Sequence, residues 1–225
     1  RNPVLYLLTD GCDTRSCVQL SDTCSANRDE HFGFIPTGMR QTWFIGVDDA
    51  NEGGGRYLLD AIKPTCGNGS AEHGESCDGQ EACNDDCRYE ITSDSVQERI
   101  PNDNFQEANE IVLDGNQLEL RGDMGGIGDC NYPDVYTILV PDGAQLEVVA
   151  RDESSMRCMT TATAPFSLTL LNAAGTTRGG GEDGSGCPVI DQSALPGGRY
   201  FVRLVDQRLD RSSIFNYRLF FRLTP

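Results

Sequence analysis

The chain has 225 residues, an apolar share of 38%, 25 glycines, and a formal charge of -17 from 18 basic and 35 acidic side chains. A field of that sign repels phosphate and attracts divalent cations, so nucleic acid and anionic lipid are poor partners. No uncharged apolar stretch approaches the ~20 residues of a membrane span, and no long 3.6-residue periodicity occurs, so short strands and many turns are expected.

The chain opens on Arg1 without a hydrophobic leader, as expected of a processed product or a piece of a longer polypeptide. Residues 1–64 then begin with the apolar run Pro3–Leu8, which predicts a buried strand. A loop rich in Cys and Asp follows. The aromatic and β-branched stretch Gly38–Asp48 predicts a second strand, and Arg56–Leu59 a third. Alternation places Trp43 in the core.

Residues 65–90 are a different material. They carry 7 acidic residues against 1 basic and almost no aliphatic side chain. Such a segment cannot bury a core, so cross-links must hold it. Residues 91–225 form the larger unit. A short turn or helix is expected over residues 102–109. Strands are expected at Ile111–Leu113, Leu118–Leu120, Val135–Val140, Leu146–Ala150, Phe166–Leu171, Arg199–Val205 and Tyr217–Leu223. Turn signals separate them, among them Asp114-Gly115-Asn116, Pro141-Asp142-Gly143 and Pro196-Gly197-Gly198. Seven short strands so punctuated predict an all-β, jelly-roll-like β-sandwich.

Ten cysteines fall in three groups: Cys12, Cys17 and Cys24; Cys66, Cys77, Cys83 and Cys87; Cys130, Cys158 and Cys187. Zinc is the rival to disulfides, but no CxxC occurs and His31 and His73 lack finger spacing. Disulfides and an extracellular or cell-surface location are expected. The middle four are expected to pair among themselves, with three connectivities open. Each outer trio leaves one cysteine to look elsewhere.

An internal repeat is also present. The text PVLYLLTDGC, GMRQTWFIGVDD and GGRYLLDAIKP lies along FSLTLLNAAG, GGRYFVRLVDQ and FNYRLFFRLTP at the end of the chain. Residues 1–64 thus read as the back half of the module in residues 91–225. A half-sandwich exposes apolar faces and strand edges. The missing strands are expected upstream in a longer parent, or from other copies of the chain or another chain that complete it.

The pattern Asn102-Asp103-x-Phe105-x2-Ala108, Pro133-Asp134-Val135-Tyr136, Pro196-Gly197-Gly198-Arg199-Tyr200 and Asn216-Tyr217-x-Leu219 resembles bacterial pre-peptidase C-terminal domains, relatives of the collagen-binding domains of clostridial collagenases. Residues 66–87, Cys66-Gly67-Asn68-Gly69, Gly74-Glu75-Ser76-Cys77-Asp78-Gly79, then Cys83 and Cys87, resemble the Cys-rich repeat of myxobacterial surface proteins. The resemblance implies secretion, a jelly-roll sandwich, attachment rather than catalysis, and in several relatives calcium near the N-terminal edge. It carries over Asn102 and Asp103, with Asp134 and Glu98 beside them. These oxygens suit calcium, which takes about 6–8 of them. The competing reading is that Asn102-Asp103 caps the turn before Phe105.

Two further oxygen-rich groups are Asp48, Asp49, Asn51 and Glu52, and Asp78, Asp85 and Asp86. Solvated acids in a Gly-rich hairpin explain the first equally well. Tyr132, Tyr136 and Trp43 are candidates for a binding platform. No GxSxG, HExxH or phosphate-cradling loop occurs, so no catalytic residue is expected. The sequence therefore points to a non-enzymatic extracellular structural module of a surface or filament assembly. The alternative is an adhesive module, calcium-dependent, for an extracellular protein or polysaccharide. An accessory domain of a secreted protease is a third reading.

Overall fold

The computed structural model describes residues 3–9, 17–21, 42–49, 56–61, 65–70, 72, 75–79, 82–100, 102–124, 133–154, 156, 166–182, 187–206 and 214–225. Within them the chain is all-β. Strands β1 (Pro3–Thr9), β2 (Cys17–Ser21) and β3 (Trp43–Asp49) make a small antiparallel sheet in the order β2-β1-β3.

Two larger sheets form the sandwich. The first has six strands: β10 (Thr177–Gly179), β9 (Phe166–Asn172), β13 (Gly198–Asp206), β7 (Asp134–Val140), β5 (Asn109–Ile111) and β4 (Glu90–Ile91), in that order. The second has five: β11 (Gly181–Glu182), β12 (Pro188–Gln192), β8 (Gln145–Asp152), β14 (Phe215–Thr224) and β6 (Gln117–Met124).

The period of two in the sequence builds the core directly. Tyr136, Ile138 and Val140 of β7 point inward with Tyr200, Val202 and Leu204 of β13 and Phe166, Leu168 and Leu170 of β9. They meet Leu146, Val148 and Ala150 of β8 and Tyr217, Leu219 and Phe221 of β14. The outer face of the five-stranded sheet is solvated. Arg218 pairs with Glu119, and Arg222 with Glu147 at 3.2 Å.

The outer face of the six-stranded sheet is covered instead. Val135, Leu171 and Phe201 form a second apolar cluster with Ala108, and Phe105 stacks on Phe201 at 4.7 Å between ring centres. Phe105 and Ala108 belong to residues 102–108, a turn rather than a helix. Asn104 Oδ1 accepts the N–H groups of Gln106 and Glu107, which holds the turn.

The Cys-rich segment closes through Cys66–Cys87 and Cys77–Cys83. Its CGNG text has a physical reading. Gly67 and Gly69 adopt φ of +80° and +94°, which aims three successive N–H groups, of Gly67, Asn68 and Gly69, at the Asp78 carboxylate. Backbone donors therefore engage the acid that the sequence offered as a metal candidate. Asp86, of the same group, pairs with Arg199 at 3.0 Å.

The knot is joined to the sandwich at many points. Arg88 is buried; it donates to the carbonyls of Phe105 and Gln106 and lies 5.8 Å from the Phe201 ring centre. Ser76 Oγ donates to the Glu107 carbonyl, and Arg199 reaches Glu110 at 3.2 Å. Beyond the knot, β4 enters the six-stranded sheet parallel to β5.

Several expectations need correction. Residues 56–61 form no strand, although Arg56–Leu59 reads as one. Their counterpart β14 lies between β8 and β6, and the described part of residues 1–64 shows no counterpart of either, so among the described residues the β-propensity of Tyr57-Leu58-Leu59 has no ladder to join. The strand expected at Ile111–Leu113 starts at Asn109 and ends at Ile111. Strand β2 lies within the stretch that reads as a loop rich in Cys and Asp, and β12 is not among the expected strands. Cys12, Cys24, Cys130 and Cys158 lie outside the described residues. Cys187 is disulfide-bonded.

Replacing Arg88 by Ala strands two carbonyls and uncovers Phe201. Arg88→Ala is expected to cost about 1–3 kcal/mol and to open the knot to protease before the sandwich. Limited proteolysis of the unreduced chain with fragment mapping checks this.

Candidate functional site

At one end of the sandwich, polar side chains enter the core. Asp134 is the first residue of β7, and Tyr136 follows on the inward face. Tyr217 lies across from them on β14. Glu98 arrives from the segment after β4, where its N–H donates to the Arg121 carbonyl at 2.9 Å. Asn102 opens the turn that covers Phe201, and its carbonyl accepts the Val135 N–H at 2.8 Å. All five residues are buried.

Their polar atoms converge. Tyr136 Oη donates to Glu98 Oε2 at 2.8 Å. Tyr217 Oη lies 2.6 Å from Asp134 Oδ2 and 2.8 Å from Glu98 Oε2. The two phenol oxygens are 2.5 Å apart. Asn102 Nδ2 donates to the same Glu98 oxygen at 3.3 Å, while Glu98 Oε1 accepts the Asp123 N–H. If both carboxyls are ionised, Tyr136 gives its proton to Glu98 and Tyr217 gives its proton to Asp134. No proton then remains between the phenol oxygens. An added proton or a cation resolves the conflict.

The electrostatics agree. Burial pushes the Glu98 carboxyl up, against the hydrogen bonds from Asp123 N–H and the two tyrosines. Burial pushes Asp134 well up, and the neighbouring Glu98 charge adds to it, as do Asp103 and Asp123. Both tyrosines are driven well above their ordinary value by burial first and the two carboxylates second. Two carboxyls in one dry site cannot both ionise freely.

Glu98, Asn102 and Asp134 are thus brought together, as the sequence suggested, and Asp103 is close enough to act on Asp134 by charge. Asn102 Oδ1 is buried with no hydrogen-bond partner. Its amide nitrogen reaches Glu98, and Glu98 and Asp134 share the Tyr217 hydroxyl as a common partner, so the unpaired amide oxygen sits at the edge of a buried acidic pair.

Sequence reasoning missed Tyr217 and misjudged Tyr136, which is fully buried and forms no platform. The alternating pattern Tyr217-x-Leu219-x-Phe221 carried the signal, since a buried tyrosine hydroxyl needs a partner. Gly122 was missed as well. A Cβ there would stand 2.6 Å from Glu98 Oε2 and closer still to the Tyr217 hydroxyl. Of the second oxygen-rich group, Asp48 is exposed at the end of β3, and Asn51 and Glu52 lie outside the described residues. So do Tyr132 and the Trp43 side chain.

No family model and no curated protein matches the chain. Among solved structures it is similar to the pre-peptidase C-terminal domain of a collagenase from Bacillus anthracis, at 18% identity and a TM-score of 0.37, over 52% of this chain and 95% of that one. It is also similar to PliG from Aeromonas hydrophila, a periplasmic inhibitor of g-type lysozyme, at 13% identity and a TM-score of 0.36, over 60% and 97%. The PliG of Salmonella Typhimurium gives 15% identity and a TM-score of 0.31, over 51% and 96%. Likeness at this level carries no argument about what this chain does.

Two expectations follow from the site. At low pH, Glu98 and Asp134 are protonated in folded and unfolded chains alike. Above about pH 4 the unfolded chain releases these protons first, so the pair's contribution falls with rising pH until the folded carboxyls ionise in turn. Without divalent cations, Asp134→Asn should flatten this decline in a series of melting curves from acid to neutral pH. Gly122→Ala should destabilise the fold by about 1–3 kcal/mol through overpacking against Tyr217 and Glu98, read as a lower denaturant midpoint.

Proposed function

We propose that the chain is a non-enzymatic, extracellular structural module of a surface or filament assembly. The observation that carries this reading is the joint between knot and sandwich. A flexible linker would touch its neighbour little. Here two disulfides close the knot, Arg88 and Ser76 fasten it to the 105–107 backbone, Arg199 clamps Asp86 and Glu110, and β4 continues into the sheet. Such a joint fixes geometry, which an assembly of modules needs and a tethered catalytic domain does not. The disulfides belong to an oxidising compartment.

The test is motional. In the oxidised full chain, backbone relaxation should give the amides of residues 82–91 the same rotational correlation time as the sandwich. Faster, independent tumbling of the knot would overturn the reading.

A second reading, a calcium-dependent adhesive module for a protein or polysaccharide, is favoured by the orphaned Asn102 Oδ1. Glu98, Asn102, Asp103 and Asp134 would hold the ion, which would supply the positive charge that the paired carboxyls lack. Calcium should then raise the melting temperature, because a ligand of the folded state stabilises it. The gain should grow from acid to neutral pH and vanish in Asp103→Ala and Asp134→Asn. An unchanged melting temperature at millimolar calcium leaves Asn102 and Asp103 with the capping role.

A further inference from the structure

The small sheet repeats part of the sandwich strand for strand. Its order β2-β1-β3 matches β10-β9-β13, antiparallel throughout. In β1–β3, Pro3 faces Asp49 and Thr9 faces Trp43; in β9–β13, Phe166 faces Asp206 and Asn172 faces Tyr200. The seven pairs between these limits coincide one for one. The bulge coincides too. Leu8 pairs Cys17 and Leu7 pairs Gln19, skipping one residue, as Leu171 pairs Thr177 and Leu170 pairs Gly179. A one-residue slip would turn every side chain to the other face, so a shared register and bulge fix which face is which.

That register assigns Ile45 to the place of Val202 and Val47 to the place of Leu204. Val202 and Leu204 are 0% exposed beneath the five-stranded sheet, whereas Ile45 is 40% exposed and Val47 half-buried. In the sandwich β13 has a further neighbour, β7; among the described residues β3 is the edge of the small sheet. The counterpart of β14, residues 56–61, leaves Tyr57 67% and Leu58 86% exposed. Ile45, Val47, Tyr57 and Leu58 thus stand open where β6, β7 and β8 supply cover in the sandwich, while Leu7, at the place of Leu170, is already buried. A second copy of this chain is a poor donor, since its own β7 is locked between β13 and β5 and its β8 between β14 and β12.

Resting on the reading of the chain as one unit in an assembly of modules, we infer that residues 1–64 are a receptor for a front-half segment of the same module type. The occupant is a polypeptide with two alternating apolar strands joined by a tight turn. One strand lies antiparallel along Trp43–Val47 as β7 lies along β13. The other lies beside residues 56–61 as β8 lies beside β14. Backbone hydrogen bonds supply the docking, and Ile45, Val47 and Leu58 supply the apolar contact.

The probe is a synthetic peptide of residues 133–152, which spans β7, its turn and β8, added to the full chain. Trp43 is the chain's one tryptophan and stands at the start of β3, so its emission reports this edge alone. The expected result is slowing of amide exchange across β3 and residues 56–61 by at least about tenfold, with a change in Trp43 emission. A scrambled peptide should do neither. Ile45→Glu should abolish both effects while leaving sandwich melting unchanged, since Ile45 is already exposed. The same segment tethered ahead of Arg1 by a Gly/Ser linker repeats the test if the free peptide is insoluble. Absence of protection in both formats, or equal protection by the scrambled peptide, overturns the inference. Protection in the chain alone that grows with its concentration also overturns it, because the occupant is then a second copy. A chain whose knot and sandwich tumble together but whose β3 ignores the segment loses this inference and keeps the structural reading.

Discussion

Phe201 lies on the outer face of a sheet, where a fully buried phenylalanine has no claim to be unless something covers it. Phe105 stacks on it, Arg88 lies over it, and Ala108 and Leu171 close the sides. Three parts of the chain are therefore tied at one ring: sheet, turn and knot. The turn that brings Phe105 also brings Asn102 to the end of β7, and the knot that brings Arg88 also starts β4. The outer cluster is thus one of the supports shared by the buried carboxyl pair and the stapled joint.

The carboxyl pair is held at a cost. Burial and mutual repulsion raise both groups, and two tyrosines supply too few protons for four converging oxygens. Core positions of this kind are normally apolar, and an all-apolar replacement is often no less stable. Glu98, Asn102, Asp134, Tyr136 and Tyr217 therefore hold a dry polar site at a cost that an apolar core would not carry.

Much of this was legible in the sequence, because the physics that decides it is local. Alternation placed β7, β8, β9, β13 and β14, and the repeat foretold the matching of β1 and β3 with β9 and β13. The repeat was read one residue out of step, however. By text, Val47-Asp48 aligns with Val205-Asp206; by pairing, Asp49 stands with Asp206. Only cross-strand register decides such a shift, and register is not a local property. The same limit explains Tyr136. Its residue type suits a platform, and its depth depends on a partner 81 positions away. Arg56–Leu59 failed for the complementary reason, since a strand is defined by neighbours rather than by its own propensity. The wrapping of Asp78 was hidden because backbone donors do not appear in a list of side chains.

The charge of -17 bears on β3 in a way that concerns suspensions rather than single molecules. An edge strand with Phe44 and Ile45 exposed invites pairing with any similar edge. Copies of one strongly acidic chain repel each other at distances beyond the reach of hydrogen bonds, so that invitation is seldom taken up between like molecules in dilute salt. The protection is colloidal and rests on the ionic atmosphere. It weakens as the Debye length contracts from ~8 Å at physiological ionic strength to ~3 Å at 1 M. Concentrated salt therefore turns a selective edge into an indiscriminate one, and the same strand becomes the seed of precipitation.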